Sequence, residues 1–197
     1  MKVIFPGSFD PVTNGHLIIA ETISDRFMAD VIFVPCTNLY KKKSLKTSFA
    51  DRINMLRLAT KDNGHFFVSD IEEKLLEDMG RQAFTLETLR LLKENSDEDI
   101  AIAIGYDNFL ALDTWHKPLF LLQEAKIIVY PRPGNTTTVP KLYKENPRSF
   151  ILLEDIVSMT MSSSLVRNYI KEARSLRYIV PDNVIDYIKT NKLYKGE

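Results

Sequence analysis

The sequence predicts an α/β fold: a doubly wound parallel sheet followed by a small helical C-terminal subdomain. Three observations predict it. Short apolar runs recur at 2–5, 31–35, 66–69, 100–104, 126–130 and 150–153. Each is almost continuously apolar rather than alternating, as expected of strands buried on both faces. Stretches of helical period lie between them, and such alternation is the mark of a parallel sheet. After Leu153 the chain becomes polar and Ser-rich, and the strand pattern stops.

Taken in order, run 2–5 leads into a helix expected over 14–28. Run 31–35 opens into a loop, 37–47, that carries Lys41, Lys42, Lys43 and Lys46. Ser48 with Asp51 three residues on predicts a capped helix start, and the helix is expected over 49–62. Run 66–69 follows, then a helix over 84–95, run 100–104, a helix over 117–124 and run 126–130. The Pro/Gly/Thr-rich stretch 132–140 reads as a loop before the last run, 150–153. Two final helices are expected over 162–173 and 182–192, with Asp182 after Pro181 as the N-cap of the second. There is no internal repeat, no low-complexity tract and no linker. The expectation is one domain over 1–197, with an α/β core over 1–155 and a helical subdomain over 156–197.

Composition bounds the function. The chain has 197 residues, 45% of them hydrophobic, with 26 basic and 26 acidic side chains and a net charge of zero. A disordered chain would be poorer in apolar residues and more charged. At this length roughly 70% of the unfolded surface is buried, enough for a full core. Zero net charge argues against a general nucleic-acid coat. The single cysteine, Cys36, excludes a disulfide scaffold and favours a reducing, cytoplasmic compartment. No run approaches the roughly 18 apolar residues of a membrane span, and the first residues lack the pattern of a secretion signal.

Two motifs carry chemistry. Gly7-Ser8-Phe9-Asp10-Pro11-Val12-Thr13-Asn14-Gly15-His16 directly follows the first strand. Gly7 lets the chain leave the strand and lets a ligand approach its backbone. Gly15-His16 opens the next helix, whose N–H groups and dipole favour a phosphate. In such sheets, ligands bind outside the carboxyl ends of the strands. The spacing is neither a GxGxxG fingerprint nor a P-loop. The second motif, Met161-Ser162-Ser163-Ser164-Leu165-Val166-Arg167, opens a helix with three hydroxyls and an arginine one turn on, a set suited to polyphosphate. Alone, the first motif reads better as a Gly-Pro turn with a surface histidine, and the second as an ordinary serine cap with a surface arginine. His65 in Asn63-Gly64-His65 reads as a turn residue.

Together the pair resembles the nucleotidyltransferase superfamily with (H/T)xGH and ISSTxxR signatures, which moves AMP from ATP onto a phosphate. Thr13 and His16 fill the first signature; Met161 and Ser164 replace the usual Ile and Thr of the second. The middle and end of the chain narrow the resemblance. Gly105-Tyr106-Asp107 is followed by Trp115-His116, Thr85-Leu86-Glu87-Thr88-Leu89 starts a helix, and Arg132-Pro133-Gly134 follows a strand. The tail reads Arg177-Tyr178-Ile179-Val180-Pro181, Val184, Tyr187-Ile188 and Leu193-Tyr194. This set is similar to bacterial nicotinate-nucleotide adenylyltransferases from Phe5 to Tyr194. Three stretches depart from that family: Thr13 stands for a His, Leu39-Tyr40-Lys41-Lys42 for Pro-Pro-His-Lys, and Ala83-Phe84 for Ser-Tyr. Thr-Asn-Gly-His is the form more typical of phosphopantetheine adenylyltransferases.

The resemblance implies a Rossmann-like nucleotidyltransferase fold and transfer of AMP from ATP to nicotinate mononucleotide. Pantetheine-phosphate adenylyl transfer and a non-catalytic nucleotide-binding regulator are the alternatives. It implies that His16, Lys42 and Arg167 are catalytic. ATP is expected at Gly7, Ser8, Phe9, Thr13, Gly15, His16, Lys41, Gly105, Asp107, Ser162, Ser163, Ser164 and Arg167. Nicotinate mononucleotide is expected at Thr85, Trp115 and Arg132. The flat face of Trp115, the only tryptophan, suits a pyridine ring. A Thr85 N–H at a helix start suits its carboxylate. No metal motif is present, and Mg2+ is expected to arrive with ATP. The sequence leaves the oligomeric state, including a homo-oligomer, open.

Overall fold

A computed structural model of the chain describes residues 1–39, 45–94, 96–131, 138–154, 156 and 161–195. Its centre is a six-stranded sheet in the order β3-β2-β1-β4-β5-β6, with every neighbouring pair parallel. The strands are β1 Lys2–Gly7, β2 Asp30–Pro35, β3 Phe66–Val68, β4 Ile100–Gly105, β5 Ile127–Tyr130 and β6 Phe150–Leu152. These match the six apolar runs within one or two residues. From β1 the chain winds outward to β3, then returns to place β4 on the other side of β1. That reversal opens a crevice at the carboxyl ends of β1 and β4, where doubly wound sheets bind ligands.

Alternate side chains of each strand face opposite layers. Phe5 and Phe33 join Ile23, Leu56, Val184 and Ile188 in one buried cluster. Ile4 and Ile102 join Leu89, Phe109 and Leu121 in the other. The expected helices appear as α1 Asn14–Phe27, α2 Phe49–Thr60, α4 Thr85–Glu94, α6 Pro118–Glu124, α8 Ser163–Lys171 and α9 Asp182–Thr190. The Ser48 cap is formed: its Oγ accepts from the Asp51 N–H at 3.0 Å and donates to the Asp51 carboxylate at 2.6 Å. Val184, Ile185 and Ile188 of α9 belong to the same cluster as β1 and β2, so the C-terminal segment shares the core of the sheet.

The structure corrects two readings. Pro181, not Asp182, occupies the N-cap of α9; Asp182 is the first helical residue, where its charge complements the helix dipole. Three helices stand where periodicity predicts none: α3 Ile71–Met79, α5 Tyr106–Leu110 and α7 Lys141–Glu145. The last two have five residues each, less than two turns, too few for a period of 3.6 to show. In α3 Ile71 and Leu75 pack on the second cluster, but the helix has nine residues and a buried carboxyl group, Glu72, on its inward side.

Candidate active site

The first motif leaves β1 at Gly7. A side chain there would meet the Phe9 ring at 2.7 Å, so only glycine lets that ring fold back. Phe9 is buried with a left-handed backbone, φ 49°, and its ring meets Phe5, Phe33 and His16 edge-on. The ring is thus core packing, so a ligand could meet Phe9 only through its backbone. Thr13 is the N-cap of α1 and is fully buried. Its N–H donates to His16 Nδ1 at 3.0 Å, and its hydroxyl lies 2.8 Å from the same nitrogen. A backbone N–H can only donate, so Nδ1 carries no proton. The ring proton therefore sits on Nε2, and His16 is a hydrogen-bond donor on that edge.

The second motif lies directly against the first. A side chain at Gly15 would come within 3.1 Å of Met161 Cβ, so this glycine allows the two to touch. Ser162 caps α8, accepting from the Leu165 N–H at 3.1 Å. Ser163 donates its hydroxyl to the Pro11 carbonyl at 2.8 Å. Arg167 donates to the Asp10 carbonyl at 2.6 Å and to Ser164 Oγ at 3.0 Å. The first N–H of α1, on Asn14, goes to the Ile179 carbonyl at 2.8 Å. Much of the polar inventory read as phosphate-facing thus knits the two motifs together. A guanidinium has five N–H donors, so Arg167 keeps donors beyond these two bonds. The Ser163 and Ser164 backbone N–H groups stand at the start of α8, a position that favours anions.

Beneath the turn lies a polar network that sequence reasoning missed. Asp10, only 2% exposed, accepts at Oδ2 from the Lys46 N–H at 2.7 Å. Its Oδ1 accepts from the Thr47 hydroxyl at 2.7 Å and the Tyr194 hydroxyl at 2.8 Å. Arg52, completely buried, donates to the Ser8 carbonyl at 2.8 Å, and at 2.7 Å to both the Cys36 carbonyl and Asn38 Oδ1. It thereby ties the exit of β1 to the exit of β2. A signal existed: Arg52 sits among Phe49, Ile53 and Leu56 on the buried face of α2, a charge inside an apolar stripe.

Glu72 is buried near this network, with Oε2 lacking a partner among the described residues. Burial pushes its carboxyl up to about 7, against the opposing pull of the Thr37 N–H and the Arg52 charge. A raised carboxyl binds protons more tightly folded than unfolded. Its stabilising contribution is full below about pH 4.5 and is lost as pH rises through about 7. Glu72→Gln should therefore gain on the wild type by up to about 3 kcal/mol across that window. Urea unfolding of both proteins at several pH values measures it; parallel pH profiles would refute it.

The residues expected at the ribose and at the acceptor lie around the end of β4 and the starts of α4 and α5. Gly105 ends β4 and caps α5, whose first turn carries Asp107. Thr85 is the first residue of α4. Half-buried Trp115 closes a short 3-10 turn and packs on the second core cluster. The Phe84 ring stacks on His116 at 4.1 Å and 13°, which brings the Thr85 and Trp115 segments together. The Phe84 N–H donates to Glu87 at 2.8 Å, fixing the start of α4. His65 stands before β3, at the opposite end of the sheet, 3.0 Å from Asp30. Lys41, Lys42 and Arg132 lie outside the described residues.

The cytidylyltransferase-like family model matches residues 4–169. A Geobacter protein (strain M21) named a probable nicotinate-nucleotide adenylyltransferase is 34% identical over 97% of this chain and 96% of its own. One from Dehalococcoides mccartyi with the same name is 36% identical over 97% of this chain and 95% of its own. The chain belongs to the nicotinate-nucleotide adenylyltransferases of the cytidylyltransferase-like family. Among solved structures, the Plasmodium falciparum nicotinic acid mononucleotide adenylyltransferase complexed with NaAD superposes with a TM-score of 0.79. It is 22% identical and covers 100% of this chain and 98% of that one, a likeness of fold. As a nucleotidyltransferase, the chain sets both family motifs side by side at the reversal of its sheet.

Proposed function

We propose that the protein transfers AMP from ATP to nicotinate mononucleotide, giving nicotinate adenine dinucleotide and pyrophosphate in NAD biosynthesis. The observation that carries this is the contact between the two motifs, with His16 held by Thr13 as an Nε2–H donor in the first turn of α1. An oxygen of the acceptor's 5′-phosphate attacks the α-phosphorus of ATP. The bond from that phosphorus to the bridging α,β-oxygen breaks, and pyrophosphate leaves with the electron pair. The attacking oxygen is already anionic, so no base and no covalent enzyme intermediate is needed. Catalysis rests on positioning and on stabilising charge. His16 donates to an α-phosphate oxygen, and the backbone of Gly7, Ser8 and Phe9 lies beside it. Arg167, Ser162, Ser163 and Ser164 hold the β- and γ-phosphates together with Lys41 and Lys42, while Thr13 fixes the His16 ring. Gly15 allows the motifs to meet. Gly105 and Asp107 flank the ribose, and Thr85, Trp115 and Arg132 take the acceptor.

Among the described residues, no group of three His, Cys, Asp or Glu side chains stands together as a metal cage. Mg2+ is proposed to enter on the ATP phosphates, and no protein step runs through it. No helix of the described residues is long and apolar enough to cross a membrane. The reading takes 1–197 as one cytoplasmic domain, with 156–197 a helical subdomain. The test offers the purified protein ATP with nicotinate mononucleotide, nicotinamide mononucleotide or phosphopantetheine in parallel. Pyrophosphate release should be fastest with nicotinate mononucleotide. Preference for phosphopantetheine overturns the substrate, and no release with any acceptor overturns the enzyme.

A further inference from the structure

We infer that Tyr194, near the end of the chain, is a positioning residue for ATP, acting through the Asp10 carboxylate. The inference rests on the proposed adenylyl transfer, because it assigns the turn at Asp10 to ATP.

A buried carboxylate persists only with its oxygens hydrogen-bonded. Asp10 takes its three donors from two distant stretches: Lys46 and Thr47 before α2, and Tyr194 after α9. The Tyr194 and Thr47 hydroxyls share Oδ1, so together they fix the rotation of the carboxylate. Pinned at both oxygens, the side chain anchors the backbone it grows from. The Asp10 carbonyl accepts Arg167, and the next carbonyl, Pro11, accepts Ser163. Two residues upstream, the Ser8 carbonyl is held by Arg52. Loss of that anchor frees residue 10 to shift, and with it the acceptors that aim Ser163, the first residue of α8, and Arg167, one turn further on.

Tyr194 is built for this task. Its backbone is left-handed, φ 61°, a conformation that costs a non-glycine residue energy and persists when its surroundings hold it. Burial and the Asp10 charge both push its phenol up, so it remains a neutral donor. No ATP contact is assigned to it, so its effect on ATP must travel through Asp10. A misplacement of about 1 Å at such a turn can cost as much as 10²-fold.

Tyr194→Phe removes one O–H and keeps the ring. It should fold, lower the affinity for a non-hydrolysable ATP analogue by about 5- to 20-fold, and raise KM for ATP in step. KM for nicotinate mononucleotide should stay within about twofold. Thr47→Val, which removes the other O–H on Oδ1, should show the same ATP-selective loss and serves if Tyr194→Phe does not fold. Leu193→Ala removes neighbouring apolar packing instead. It should lower the unfolding temperature and leave ATP affinity at the wild-type value. The inference fails if the tyrosine and threonine variants bind the analogue like wild type. It fails equally if Leu193→Ala weakens ATP binding as much as they do, for then the tail acts only as a structural anchor. Analogue binding needs no acceptor. Wild type that binds the analogue yet transfers nothing to nicotinate mononucleotide would refute the functional reading while this comparison still stands.

Discussion

His16→Ala is expected to lower kcat for adenylyl transfer by about 10²–10³-fold, the usual cost of removing one donor aimed at transition-state charge. The size follows from how the ring is held. Nδ1 is occupied by the Thr13 N–H at 3.0 Å, which leaves the proton on Nε2. The ring packs edge-on to Phe9 at 5.2 Å, so it meets the phosphate already oriented. A donor set in place before reaction pays no reorganisation when charge builds on the α-phosphate oxygens. The loss should fall mainly on kcat, because the ATP contacts proposed at α8 and along the turn remain. His16 is half-buried rather than core, so unfolding by urea should shift little. Steady-state kinetics with pyrophosphate detection reads both parameters. A folded His16→Ala protein with near-wild-type turnover would remove His16 from the mechanism.

The sheet was legible because parallel strands buried on both faces leave uninterrupted apolar runs. All six buried residues of β4, for example, are Ile, Ala or Gly. Helix ends were legible where a short-range device marks them, as Ser48 and Asp51 mark α2. At α9 the cap falls one residue before the expected Asp182, on Pro181, whose backbone is still extended. The two site motifs could be read because each is packed into ten residues or fewer. Their hydrogen bonds could not. Ser163 reaches Pro11 across 152 positions, and Tyr194 reaches Asp10 across 184. No local pattern encodes a pairing of that span. The balanced net charge was equally silent about position: it hides a cationic side chain, Arg52, sunk wholly beneath the first motif.

Arg52→Met should cost about 3–5 kcal/mol of stability, the loss of three hydrogen bonds from a charged donor. Methionine nearly fills the volume, so the loss isolates the polar interactions from cavity formation. Three acceptors lose their donors: the Ser8 and Cys36 carbonyls and Asn38 Oδ1. A fully buried acceptor left alone costs roughly 1–3 kcal/mol; these three are only partly buried, so each should fall at the low end. Asp10 and Glu72 also lose the nearby positive charge. Burial draws the Arg52 pKa down, so the folded protein already pays to bury this guanidinium; its network, not its charge alone, keeps it there. Arg52→Lys separates the two. It restores the charge, but an ammonium lacks the planar fork that spans the exits of β1 and β2. If the charge were what mattered, lysine would recover most of the stability; if the fork, it would recover little. The geometry favours the fork, since all three acceptors are neutral oxygens, so Arg52→Lys should remain at least about 2 kcal/mol below wild type. Urea midpoints of the three proteins decide between them. A methionine variant within about 1 kcal/mol of wild type would mean that the turn holds its shape without Arg52.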